Sequence, residues 1–293
     1  MDAREFEAQM TWLKANFDVV SLREITRRQT RLDKNQVAIT FDDGYFNNID
    51  TVMPIMAKLD LPMTWFVTTE FVDNPDQLPW WDTIDLALEK CERAITLREP
   101  EVAGSYDPAN ARQRNWLNTA LRRIVKGVTP ERRDAIIAEL AGQIGQQFEL
   151  PENAFARPGE VAAVDFKRVD LGGHTASHPN LAVCSESARR QEVDHGKARL
   201  EQISGQKLSW FAYPFGGRGC FDQASAQTVK RAGFDGAVTL VPGTVAADTD
   251  PYLLPRIPVS GALSFTDFKA RTLGAPVFAW ADRLRACLQR GPS

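Results

Sequence analysis

The chain has 293 residues, of which 43% are hydrophobic and 25% charged, with a formal net charge of −3. Those values suit a globular protein of one large domain or two small ones. The slight acidity, with a sequence pI ≈ 5.8, argues against a nucleic-acid or anionic-membrane binder, and no apolar run reaches the roughly 18 residues of a transmembrane helix.

The opening stretch, MDAREFEAQM, is charged and helical in pattern rather than a signal peptide. Phe6, Met10, Leu13 and Phe17 recur at helical spacing and predict a helix with one apolar face. Val37 to Phe41 reads as a short buried strand, with no obvious strand before it. Residues 49 to 59 read as a helix and Met63 to Thr69 as a second strand. Strand, helix, strand implies a parallel sheet.

From Pro79 to Phe148 the periodicity is helical only. Ile84, Leu88, Cys91 and Ile95 predict one face, and Leu117, Leu121, Ile124 and Val125 a second. Ile136, Ile137, Leu140, Ile144 and Phe148 predict a third. Alternation then resumes, so this stretch (taken as 72–160) reads as a helical insertion within a single domain spanning 1–293.

Further strands are expected at Val169–Gly173, Leu208–Tyr213, Gly236–Leu240 and Leu253–Val259. Helices are expected at Glu186–Ile203, Gln223–Ala232, Phe265–Thr272 and Pro276–Leu288. Six strands alternating with helices suit an open α/β sheet or an incomplete barrel. Cys91, Cys184, Cys220 and Cys287 are scattered without a close pair. Reduced thiols in a cytoplasmic protein are the expectation.

Two stretches stand out. In AITFDDGYFNN an apolar run ends in Asp42, Asp43 and Gly44. A lone Asp-Gly step is ordinary turn chemistry, but adjacent like charges repel, and a cation or a proton relay is the usual use for them. GGHTASHPNL holds two of the three histidines, His174 and His178. Four apart in one turn, they could share a metal or simply be structural. Both stretches stand at the carboxyl ends of predicted strands. In parallel α/β architectures those ends converge on the face that carries chemistry.

TFDDGY, HTASHP and FAYPFGG together resemble three successive motifs of the polysaccharide deacetylases of the NodB-homology, carbohydrate esterase 4 type. The resemblance covers about residues 37 to 71 and 160 to 262. It implies a distorted, incomplete (β/α) barrel of about six or seven strands. It makes Asp43, His174 and His178 ligands of one divalent metal ion, Asp42 the general base, and Tyr213 and Pro214 neighbours of the substrate, with a backbone N–H near them polarising the acetyl oxygen. Zinc suits two imidazoles and a carboxylate, while cobalt, nickel, manganese or iron would also fit. The implied reaction removes N-acetyl groups from an amino-sugar polymer or glycan intermediate. Hydrolysis of a small cyclic or linear amide, or a catalytically silent carbohydrate-binding role, are the alternatives.

The match departs from the family in two places. Many members carry an Arg in the third motif that orients the base, whereas KLSWFAYPFGG has none. Many also have a late Leu-x-His as general acid, whereas no histidine follows His195, itself read as a surface residue. Arg256, in PYLLPRIPVSG, is the candidate to lie beside Asp42 and lower its pKa, or to contact substrate. The acid is then Asp42 returning its proton, or a water. Trp80 and Trp81 could stack on sugars, but anchoring the insertion to the barrel is the favoured reading.

Overall fold

The computed structural model describes residues 2–26, 35–143, 154–261 and 263–274. Helix α1 (Ala3–Asn16) is capped by the Asp2 carboxylate and buries Phe6, Met10 and Leu13 as their spacing predicts. Strand β1 (Asp18–Val19) follows, then α2 (Leu22–Ile25), opened by a reciprocal Ser21–Glu24 capping box. Instead of one strand from Val37 to Phe41 there are two. β2 (Gln36–Val37) pairs in parallel with β1, whereas β3 (Thr40–Phe41) pairs with β4 (Met63–Val67). So an earlier strand does exist. At two residues, β1 is too short for alternation to reveal it.

Between β3 and β4 the chain makes a short π-helix (Asn48–Val52) that runs into α3 (Met53–Lys58). After β4 and the short α4 (Thr69–Asp73) the chain enters its insertion. There α5 (Trp80–Lys90) is followed by a hairpin of β5 (Ile95–Leu97) and β6 (Gly104–Tyr106), then by α6 (Ala111–Gly127) and α7 (Pro130–Ala141). Ile95, grouped above on a helix face, opens β5 instead, because α5 stops at Lys90 and Cys91 is already extended. Ile84, Leu88, Leu117, Leu121, Ile124 and Leu140 nonetheless share one apolar core, separate from that of the main sheet. Ile144, Phe148, Cys287 and the helix expected at Pro276–Leu288 lie outside the described residues.

The remainder alternates: α8 (Pro158–Ala162), β7 (Val169–Gly173), α9 (Glu186–Ser204), β8 (Trp210–Ala212), α10 (Gln223–Arg231), β9 (Gly236–Pro242), β10 (Leu254–Arg256) and α11 (Phe265–Thr272). The main sheet has six strands in the order β10-β9-β8-β7-β4-β3, all parallel. It curls until its two edges approach: Arg256 of β10 reaches Thr40 Oγ1 of β3 at 3.1 Å. This is the incomplete barrel, one of the two architectures the alternation allowed and the one the resemblance implies. Strand parity sorts its side chains. Phe66, Trp210, Ala212, Val238 and Leu254 pack with Leu22 in one cluster, inside the curl. Trp65, Val67, Leu171, Phe211, Tyr213 and Ala237 face the helices. Each buried Val, Leu or Phe among them contributes about 1.5–3 kcal/mol by leaving water. No helix among the described residues is long and apolar enough to cross a membrane.

Candidate active site

Asp42, Asp43 and Gly44 turn away from the carboxyl end of β3, with φ of 77° at Asp43 and 99° at Gly44. Only glycine suits position 44, where a Cβ would also sit 3.1 Å from Val67 Cγ1. The turn sends the two carboxylates to different partners. Asp42 meets Arg256, and Asp43 meets the histidines.

Those histidines follow β7, directly beside β4. The His174 N–H donates to the Val67 carbonyl, the Thr68 hydroxyl donates to the His174 carbonyl, and the Glu70 N–H donates to the Ala176 carbonyl. Thr175 (φ 67°) and His178 (φ 58°) are held in the left-handed region by this bonding, at a cost of roughly 1–3 kcal/mol each. Asp43 Oδ1 lies 3.4 Å from both His174 Nε2 and His178 Nε2. Two metal bonds of about 2.1 Å meeting at the tetrahedral angle set ligand atoms about 3.4 Å apart. His174 Nδ1 lies 2.7 Å from the Ala212 carbonyl, which fixes the proton there and leaves Nε2 as a lone-pair donor. The donor set and its spacing therefore fit one divalent cation.

The electrostatics agree. Burial, then the neighbouring His174, hold the His178 imidazole well below its ordinary pKa, which keeps it neutral and able to ligate. Burial also pushes His174 down, but the attraction of Asp43 and Asp42 outweighs it and raises that pKa. A proton on His174 and a cation between the ligands are alternative answers to the same pair of carboxylates.

Asp42 is bound in fork geometry, Arg256 Nη1 to Oδ1 and Nη2 to Oδ2, both at 2.7 Å. The guanidinium is itself fixed by Nε donating to the Thr239 carbonyl at 2.8 Å. Burial alone would raise the Asp42 carboxyl; Arg256 outweighs that and holds it below the ordinary carboxylate value. The third motif has no arginine, and the one that pairs with Asp42 comes from the last strand.

Tyr213 is not among the groups brought together. Strand parity turns its ring outward, stacked on Phe221, and its hydroxyl donates to the Tyr252 carbonyl. Its own N–H donates to the Val238 carbonyl at 3.2 Å. Pro214 is buried behind it. Phe215, two residues on with φ 60°, presents the ring instead, 4.7 Å from His178 by centroids. Trp81 stands 5.0 Å from His178 and donates to the Tyr45 hydroxyl, tying the insertion to the Asp-Asp-Gly turn. Trp80 packs in the insertion core against Phe215. His195 is exposed on α9. Phe215 had no signal in the sequence, since an aromatic after Tyr-Pro reads as turn hydrophobicity.

A sequence model described as polysaccharide deacetylase matches residues 29–94 and 140–237, more than half of the chain. The chain belongs to the polysaccharide deacetylase family. Enzymes of this family act on N-acetyl amide bonds of carbohydrates. The match pauses over residues 95–139, which fall in the insertion. YxkH of Bacillus subtilis (strain 168), a polysaccharide deacetylase by name, is 19% identical over 91% of this chain and 68% of its own length. The poly-beta-1,6-N-acetyl-D-glucosamine N-deacetylase of Escherichia coli (strain K12) is 32% identical, over 23% of this chain and only 11% of that protein. Among solved structures, a de-N-acetylase from Aggregatibacter actinomycetemcomitans superposes with a TM-score of 0.58 at 15% identity, covering 92% of this chain and 88% of that one. At that identity the likeness concerns the fold.

Proposed function

We propose that this polysaccharide deacetylase is a metal-dependent N-deacetylase of an amino-sugar polymer or oligomer, with Asp43, His174 and His178 holding the ion. The observation that carries the reading is the triangle of Asp43 Oδ1 and two imidazole Nε2 atoms, with Asp42 held apart by Arg256. A divalent ion in that position supplies Lewis acidity, polarising the acyl oxygen and lowering the pKa of water from 15.7 toward about 7.

The chain's own residues supply the rest. Asp42 is the general base that takes the proton of the attacking water. Its two oxygens offer about four lone-pair sites, so both bonds to Arg256 leave room to accept one more. Arg256 fixes the carboxylate plane and keeps it ionised until the proton arrives. Asp42 then passes that proton to the departing amine. Phe71, Trp81 and Phe215 surround His178 and exclude water from that side of the site. Zinc is the ion proposed, on its preference for nitrogen ligands in tetrahedral sites. Poly-N-acetylglucosamine is the substrate class proposed, supported by the activity named for the E. coli relative.

The test pairs elemental analysis of purified protein with acetate release from N-acetylglucosamine oligomers, comparing wild type with Asp42→Asn. Metal retained with turnover lost by about 10²–10⁴-fold is the expected result for loss of a general base. Unchanged turnover in Asp42→Asn would overturn the assignment.

A further inference from the structure

The loop between the two histidines is bonded from β4 and α4 on one side, and its other side rests on α9. There the Ala176 and Ser177 N–H groups both donate to Glu192 Oε2, at 3.0 and 2.8 Å, and the Ser177 hydroxyl donates to Glu192 Oε1 at 2.8 Å. The Ala176 N–H also lies 3.0 Å from the Glu192 backbone carbonyl. One helical turn later comes Gly196, buried mid-helix. A Cβ at this position would fall 2.7 Å from the Thr175 carbonyl carbon and 2.9 Å from the Ala176 nitrogen. One turn before Glu192, the buried Arg189 donates to the Leu181 and Cys184 carbonyls, in the segment that follows His178. One face of α9 thus meets the loop through its backbone.

The positive φ angles of Thr175 and His178 bracket the two N–H groups that Glu192 receives. Such conformations persist only when their surroundings over-determine them. A carboxylate accepting two N–H groups and a hydroxyl does so, and Gly196 permits the approach that makes those bonds reachable. We propose that Glu192 and Gly196 are the positioning residues of the histidine loop, setting the separation of the two imidazoles. Neither touches the reacting atoms; both act through the backbone of residues 175–177. The inference rests on the metal-centre reading for its consequence, though the clamp itself can be measured without metal.

The experiment compares Glu192→Ala, Glu192→Gln and Gly196→Ala with Leu200→Ala, which empties a buried core site on the same helix. Zinc affinity is read by competition with a chromophoric chelator. Hydrogen exchange of a peptide spanning the histidine loop is read on metal-free protein. Glu192→Ala is expected to weaken zinc binding by about 10–100-fold, the range for lost outer-shell partners, and to speed exchange at Ala176 and Ser177. Glu192→Gln keeps an oxygen for both N–H groups and turns its amide toward the Ser177 hydroxyl, so zinc affinity stays within about threefold of wild type. Gly196→Ala, a favourable change in an ordinary helix interior, weakens zinc binding here. Leu200→Ala lowers stability but leaves zinc affinity unchanged. The inference is overturned if Glu192→Ala keeps wild-type exchange in the loop, or binds zinc as tightly as wild type, or if Leu200→Ala weakens zinc binding equally. A wild type that binds no zinc would instead sink the proposed function, while loop exchange in Glu192→Ala would still judge the clamp.

Discussion

Arg256→Ala probes the pair that joins the two edges of the sheet. Side-chain exposure is 12% for Arg256 and 22% for Asp42, so truncating the arginine strands a largely buried carboxylate without its partner. Removing one partner of a buried pair costs about 3–5 kcal/mol. Taking about 3 kcal/mol, for a carboxylate that keeps some water, the melting temperature should fall by roughly 6–12 °C, at 2–4 °C per kcal/mol for a chain of this size. The loss should depend on pH. In the wild type Arg256 holds the folded Asp42 pKa below the ordinary carboxylate value, so the stabilising contribution is present above that ordinary value and is lost only as pH falls through the folded pKa. Without Arg256 the burial contribution dominates and the folded pKa rises. The variant then loses stability as pH climbs from about 4 through that raised value. Thermal melts of metal-free protein between pH 4.5 and pH 8 should therefore show a gap between wild type and variant that widens with pH. Turnover should fall about 10²-fold as Asp42, the base proposed, loses its orientation. A gap that is flat or narrows with pH, or a melting temperature within about 2 °C of wild type, would refute the reasoning.

Gly172→Ala should cost about 1–3 kcal/mol in chemical denaturation, because a Cβ there would meet Phe66 Cδ1 at 2.4 Å in the barrel interior. Leu121→Ala, at a position with no exposed area in the insertion core, should cost about 2–5 kcal/mol, and a cost under about 1 kcal/mol would mean that core carries little of the fold. Trp81→Ala should lower kcat/KM by about tenfold, the equivalent of an aromatic contact worth about 1.4 kcal/mol, with an exposed-surface tryptophan variant such as Trp116→Ala unchanged.

Much of the site was legible because it lies where strands end. Asp42, Asp43 and His174 stand directly past a strand's last residue, His178 follows on the same loop, and parallel strands bring those ends to one face. Arg256 was legible as a partner for Asp42 for the same reason, as the last residue of β10. Tyr213 was misplaced by motif when parity would have placed it. Trp210 and Ala212 face the interior, so Phe211 and Tyr213 face out. The β5–β6 hairpin was hidden because Ile95 falls at helical spacing from Cys91, although α5 had already ended. The seat of the histidine loop was hidden differently. RRQEVDHGKARLEQ reads as a solvated helix face, and only the mid-helix Gly196 hinted that another backbone came close.

The central claim is that Asp43 and the distant His174–His178 pair hold one cation while Asp42 stays free of it. Anomalous diffraction from crystals grown with zinc, collected on both sides of its absorption edge, tests this most directly. The account predicts a single strong peak about 2.0–2.2 Å from Asp43 Oδ1, His174 Nε2 and His178 Nε2, with Asp42 still paired to Arg256. A peak ligated by Asp42, or no peak at this triangle with zinc bound elsewhere, would contradict it.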